Sequence, residues 1–102
     1  MKHLRKAIRH MILSESNQHT SKLATLLTGT PDFVNQGIEL GEMLGLIRNA
    51  AVSEADFMSG MVHIEMETDP DLCAAIQALR PASFDMDSED DGWCWVQYIV
   101  FE

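Results

Sequence analysis

The sequence predicts an α+β fold, in which three helices precede a strand or hairpin, a further helix and a C-terminal β-hairpin. Apolar residues recur at helical spacing in the first third of the chain, and two similar helix starts follow at Thr30 and Asp69. Apolar residues then alternate within residues 58–66 and 93–101, as in strands. A chain of 102 residues fits one domain, here 1–102, with parts at 1–66 and 67–102.

The first predicted helix is amphipathic, because its apolar residues recur every three or four positions and its basic residues fall elsewhere. The apolar stripe consists of Leu4, Ala7, Ile8, Met11 and Ile12. The polar run from Ser14 to His19 predicts a loop. A short second helix is expected from about Thr20 to Thr28, ended by Gly29.

The third predicted helix begins at Thr30-Pro31-Asp32, where Thr caps free amides, Pro occupies the first helical position and Asp complements the helix dipole. Gly37 and Gly41 lie inside this helix, each at a cost of up to about 1 kcal/mol relative to Ala. Their spacing predicts that another backbone packs closely there. Gly45 marks the exit from the helix.

Residues 46–66 predict a hairpin, with a β-compatible segment at 46–52, turn chemistry at 53–56, and an alternating strand whose apolar face includes Val62, Ile64 and Met66. The alternative is a short helix capped by Ser53 and ending near Ser59, with the strand confined to 61–67. The pattern leaves both open.

The last third of the chain predicts a helix and a second hairpin. Asp69-Pro70-Asp71 repeats the start chemistry of residue 30, and the helix has to stop before Pro81. Two strands near 83–87 and 93–101 then flank an acidic loop. Both faces of the last strand are apolar, which predicts a central or covered strand.

The charge of the chain is unevenly distributed. The net charge is −9, yet residues 1–30 carry five Lys and Arg against Glu15, whereas residues 31–102 carry Arg48 and Arg80 against fifteen acids, a balance of −13. Such a field repels phosphate and attracts basic partners; its simpler role is to keep a small protein in solution. No apolar run has the length of a signal peptide or a membrane span, so we expect a cytoplasmic protein.

Residues 20–52 resemble the winged-helix branch of the helix-turn-helix superfamily. Leu23, Ala24 and Leu27 match the scaffold helix, Val34 and Ile38 match the core side of the recognition helix, and Gly45-Leu46-Ile47-Arg48 matches the turn into the wing. The resemblance implies a winged-helix-like N-terminal half and a DNA-binding transcriptional regulator that acts as a dimer. The residues that would contact nucleic acid are Lys2, Arg5, Lys6, Arg9, Lys22, Asn35, Gln36 and Arg48.

The third helix departs from the family in its charge. It carries Asp32, Glu39 and Glu42 and no basic residue before Arg48, which opposes entry into a groove of phosphates. The two termini, Met1 to Arg5 and Asp90 to Glu102, also resemble those of tail-terminator proteins from long-tailed phages. That resemblance implies a phage or mobile-element origin and, as a further alternative, a component of phage tail or head assembly.

The sequence offers no convincing catalytic or metal site. The four histidines lack metal-binding spacing, and the run from Asp85 to Gly92 fails the calcium-loop pattern because Asp90 stands where glycine is required. Cys73 and Cys94 are expected to be reduced and packed. The chain is therefore predicted to be non-enzymatic and to use no cofactor.

The leading hypothesis is a small acidic binding protein that engages a basic, nucleic-acid-binding protein as an inhibitor or regulator. Its carboxylates would be presented much as DNA presents phosphates. Trp93 and Trp95 are expected in the core, although they would form a binding hot spot if exposed. The acidic residues assigned to the partner surface are Asp85, Asp87, Glu89, Asp90, Asp91, Glu39 and Glu42.

Overall fold

The computed structural model describes residues 20–54 and 60–102, with the side chain of residue 54 excepted. Its helices are α1 at residues 20–27, α2 at Pro31–Met43 and α3 at Pro70–Leu79. The strands are β1 at Ile47–Glu54, β2 at Met61–Thr68, β3 at Ala82–Ser88 and β4 at Cys94–Phe101. All four strands form one antiparallel sheet in the order β1-β2-β4-β3. The α+β prediction is confirmed.

The described residues contain two helices ahead of the sheet, so the prediction of three is wrong for this part of the chain. The apolar repeat from Leu4 to Ile12, which predicted the first of the three helices, lies outside the described residues. Helix α1 is nevertheless where the sequence placed it, with Leu23, Ala24 and Leu27 buried and the amide of Gly29 bonded back to the carbonyl of Leu26 at 3.1 Å.

Both Pro-initiated helix starts occur as predicted, but only one uses a capping side chain. The Oδ1 of Asp69 accepts from the Asp71 amide at 2.9 Å. Thr30 occupies the equivalent position before α2, where its backbone carbonyl accepts from the Val34 amide at 2.9 Å, yet its side chain makes no capping hydrogen bond. The expectation that the Thr30 hydroxyl caps the helix is therefore wrong.

The glycines of α2 make room for side chains, which corrects the prediction that they admit another backbone. A Cβ placed on Gly41 would lie 2.7 Å from Cγ1 of Ile47, and one placed on Gly37 would lie 3.0 Å from Cδ2 of Leu27. Gly45 has φ +73°, a left-handed conformation that favours glycine and turns the chain from α2 toward β1.

The hairpin interpretation of residues 46–66 is confirmed by the antiparallel pairing of β1 with β2, in which Val52 faces Ile64. Because β1 continues through Ser53 and Glu54, no helix starts at Ser53. The second strand begins at Met61, later than Met58, which lies outside the described residues. Residues between the two strands at 55–59 are likewise outside them.

The core lies between the helices and one face of the sheet. Alternate residues of β2 and β4 are buried, including Ile64, Met66 and Val96. Tyr98 joins the layers, because its buried hydroxyl donates to the carbonyl of Leu27 at 2.7 Å. Strand β4 is central, as its two apolar faces predicted. Among the described residues, no helix is long and apolar enough to cross a membrane.

Candidate binding face on the sheet

The sheet face that points away from the helices, called here the open face, carries several charged and polar side chains. Its residues are the alternates of the buried ones, since successive side chains of a strand point to opposite sides. No described helix or strand packs on it, and its side chains stay partly or fully exposed. At its centre are Glu65 and Glu67 on β2, Trp95 and Gln97 on β4, and Asp85 and Asp87 on β3.

The register arranges these six residues in two rows across the sheet. Glu67, Trp95 and Asp87 are partners in one row. Glu65, Gln97 and Asp85 are partners in the next. Along the strands, Glu65 and Glu67 on β2 form one pair of carboxylates, and Asp85 and Asp87 on β3 form the other, with β4 between the two pairs. The members of a pair are about 7 Å apart, and the two pairs are about 10 Å apart. These are called the carboxylate pairs below.

Trp95 is held in place between the carboxylate pairs. Its indole Nε1 donates to Oε1 of Glu65 at 2.8 Å, so the polar edge of the ring is satisfied and the ring is oriented across the face. The side chains of Trp95 and Trp93 are both partly exposed, so the expectation that the two tryptophans lie in the core is wrong. An aromatic ring bordered by carboxylates suits the aliphatic stem and cationic head of Lys or Arg.

One end of the open face is closed by the Arg48 cluster, which consists of Arg48, Glu67, Glu89, Asp91 and Trp93. Arg48 Nη2 lies 2.7 Å from Glu67, 2.5 Å from Asp91 and 3.5 Å from Glu89. Its guanidinium also stacks over the Trp93 ring at 4.3 Å from the centroid. The cluster thereby ties edge strand β1 to the turn between β3 and β4, across an open depression of about 500 Å³.

The carboxyls of the cluster influence one another. The hydrogen bond between Glu89 and Glu67, together with those from Asn49 and Arg48, lowers the pKa of Glu67 to about 2. The same contact with Glu67 raises the pKa of Glu89. The pKa of Asp91 is lowered, chiefly by its hydrogen bond from Arg48. One guanidinium facing three carboxyls leaves this end of the sheet acidic.

The structure brings together part of the predicted acidic surface. Asp85 and Asp87 lie on the open face, and Glu89, Asp90 and Asp91 lie in the adjoining turn. Glu39 and Glu42 are exposed on α2, whose Gly41 packs on Ile47 in the helix layer, on the other side of the sheet. They do not belong to the same surface.

Of the residues proposed to contact nucleic acid, the four that the structure describes lie on three different elements, α1, α2 and β1. Arg48 is paired within its cluster, Lys22 is exposed on α1, and Asn35 and Gln36 are exposed on α2 beside acidic neighbours. The remaining four, Lys2, Arg5, Lys6 and Arg9, lie outside the described residues.

Sequence reasoning missed Glu65, Glu67 and the exposure of Trp95. The signal for the glutamates was present, because Val62, Ile64 and Met66 assign the alternate residues of β2 to the other face. The described residues contain no group of three His, Cys, Asp or Glu side chains placed to hold a metal ion. Cys73 and Cys94 are buried and free, and burial raises the pKa of the Cys73 thiol to about 12.

No protein-family model, no curated protein and no solved structure matches this chain.

Proposed function

We propose that the protein is a small, non-enzymatic binding protein that engages a basic, nucleic-acid-binding protein through the open face of its sheet, as an inhibitor or regulator. The proposal rests on the two carboxylate pairs that lie on either side of Trp95. Six acids of the face and its adjoining cluster, Glu65, Glu67, Asp85, Asp87, Glu89 and Asp91, stand against the single guanidinium of Arg48.

The chemistry of this face favours cations over phosphates. A basic side chain can lie along the indole of Trp95 with its charge near Asp87 and Asp85, which combines cation–π and ionic attraction, because Glu67 already accepts hydrogen bonds from Arg48 and Asn49. The two carboxylate pairs, on either side of the less charged strand β4, also resemble in outline the two phosphate backbones of a nucleic acid duplex. A protein surface that neutralises phosphates is therefore the partner class that this face fits best.

A winged-helix-like arrangement of the N-terminal half remains part of the proposal, as does a phage or mobile-element origin. The order α1, turn, α2 and hairpin β1–β2 supports the first of these. Binding of DNA by α2 is the weaker alternative, since α2 is acidic and Arg48 is already paired.

The proposal predicts that neutralising acids on the open face weakens binding to an arginine-rich peptide more than neutralising acids elsewhere. Asp85→Asn/Asp87→Asn is expected to lower affinity about three- to tenfold at low salt, because both carboxylates border Trp95. Isothermal titration against the peptide measures this loss.

The matched control is Glu39→Gln/Glu42→Gln, which changes the net charge equally but lies on exposed positions of α2. An equal loss in both variants would mean that only the net charge matters, and an unchanged affinity in the sheet variant would remove the open face as the site. Capture from nuclease-treated host lysate with the same variants then identifies a partner that depends on Asp85 and Asp87.

A further inference from the structure

Three sulfur atoms meet on the helix side of the sheet, away from the open face. They belong to Cys73 on α3, Met86 on edge strand β3 and Cys94 at the start of β4. The Cys73 thiol donates to Sδ of Met86 at 3.7 Å. It also shares a hydrogen bond with the Cys94 thiol, and burial together with this contact raises the pKa of Cys73 to about 12. The three atoms form one contiguous group, called here the sulfur cluster.

Three different elements supply the members of the sulfur cluster. Cys73 lies near the start of α3 and is only 1% exposed, so its side chain points into the core. Met86 pairs with Val96, two residues along β4 from Cys94, and diagonal neighbours on one sheet face are within reach of a long side chain. Met86 is only partly buried, so solvent reaches one member of the cluster at the β3 edge of the sheet.

A buried hydroxyl without a hydrogen-bond partner lies beside the cluster. Thr68 is fully buried, and its Oγ1 makes no hydrogen bond within the part of the chain that the structure describes. Thr68 is the register partner of Cys94 across β2 and β4, which puts the two Cβ atoms about 5 Å apart on the same face. An unpaired buried hydroxyl is unfavourable, and a thiolate at Cys94 would give it a charged acceptor.

We propose that the sulfur cluster is a binding site for a soft monovalent metal ion, Cu(I), held by Sγ of Cys73, Sγ of Cys94 and Sδ of Met86. Thiolate and thioether sulfur are the donors that select Cu(I), whereas Mg²⁺ and Ca²⁺ prefer oxygen. A structural zinc site needs four nitrogen or sulfur ligands. Within the described residues, no further His, Cys, Asp or Glu joins the two cysteines to form such a site.

The spacing of the sulfurs suits a three-coordinate ion. With metal–sulfur bonds of about 2.3 Å, as in zinc thiolates, the corners of a trigonal site lie about 4 Å apart. The sulfurs of Cys73 and Met86 are already 3.7 Å apart. Binding forms three metal–sulfur bonds and releases the two thiol protons to solvent, with no change in oxidation state. The loaded site carries one net negative charge, which the Thr68 hydroxyl stabilises by donating to the Cys94 sulfur.

This inference does not rest on the proposed function, because the cluster and the carboxylate pairs lie on opposite faces of the sheet. An ion in the cluster links α3 to β3 and β4. Since the unfolded chain does not hold the three sulfurs together, loading the site stabilises the fold.

Anaerobic titration of the reduced, full-length chain with Cu(I) tests the site. The ion is added in the presence of the competing chelator bicinchoninate, which removes weakly bound copper. We expect one Cu(I) per chain to be retained. In protein labelled with ¹³C at the methionine methyl groups, the signal of Met86 should shift and that of Met43, which is 78% exposed on α2, should stay. A chain that retains no copper, or a Met86 signal that does not move, would overturn the proposal.

Variants that conserve side-chain volume identify the ligands. Met86→Leu is expected to lower Cu(I) affinity about tenfold or more, and Met43→Leu, the matched control, to leave it unchanged. Equal affinities in the two variants would overturn the assignment of Met86. Thr68→Val should weaken binding several-fold while the metal-free chain stays folded by circular dichroism, and Thr68→Ser should bind as the wild type does. Wild-type affinity in Thr68→Val would contradict the role given to the hydroxyl.

Discussion

Replacing Trp95 with alanine is expected to weaken binding to an arginine-rich peptide by about tenfold or more, the effect typical of a central aromatic hot spot. Trp95 lies between Glu67 and Asp87 in the sheet register, and its indole is oriented by Glu65. Removing the ring takes away the apolar contact and the cation–π attraction together, while the carboxylates remain. Isothermal titration at low salt measures the change, with circular dichroism to verify that the variant is folded.

Phe101→Ala provides the matched control on the same strand. Phe101 points to the same face and is 55% exposed, but it lies at the far end of β4, opposite Met61 and away from the carboxylate pairs. We expect this variant to bind nearly as the wild type does. Equal losses in the two variants would indicate a general apolar contribution, and an unaffected Trp95→Ala would contradict the role given to the ring.

Arg48→Gln is expected to destabilise the protein at neutral pH and to change how its stability depends on pH. In the wild type the pKa of Glu67 is lowered from 4.5 to about 2, and that of Asp91 is lowered as well. Carboxylates with lowered pKa values stabilise the fold above their unfolded pKa, and this contribution is lost as the pH falls from about 4.5 toward 2. Glu89, whose pKa is raised, contributes in the opposite sense, below its ordinary pKa.

In Arg48→Gln the hydrogen bond that chiefly lowers the pKa of Asp91 is absent. The pKa of Glu67 is then lowered only by its hydrogen bonds with Glu89 and Asn49. Three adjacent carboxyls then repel one another until they are protonated. The difference in free energy of unfolding between wild type and variant should therefore be large near pH 7 and shrink toward about pH 3. Urea unfolding at both pH values measures it.

Lys22→Gln is the control for this experiment, because it removes one positive charge from an exposed position on α1. A difference of similar size in the control, or one that grows on acidification in Arg48→Gln, would contradict the assigned role of the Arg48 cluster.

The elements of this fold were predictable where one local signal was enough. Asp69-Pro70 starts a helix because Pro suits the first position and the carboxylate accepts an amide. The two apolar faces of residues 93–101 predicted a central or covered strand, and the alternation in residues 58–66 predicted a strand, observed as β2 at Met61–Thr68.

Features that depend on distant pairing were not predictable. Arg48 was assigned to phosphate contacts because the resemblance placed it at the entry to a wing. Its actual partners, Glu89 and Asp91, are 41 and 43 residues away and come near only when β4 pairs with β2 and β3 with β4. For the same reason Glu39 and Glu42 were grouped with acids that lie on the other side of the sheet.

Amide mapping locates the proposed contact between the open face of the sheet and a basic partner. An isotope-labelled chain is titrated with an arginine-rich peptide and, separately, with duplex DNA. We expect the peptide to shift the amides of Glu65, Glu67, Asp85, Asp87 and Trp95, added salt to reverse the shifts, and DNA to leave them unchanged. Shifts confined to α1 and α2, or larger shifts with DNA than with peptide, would contradict the proposed contact.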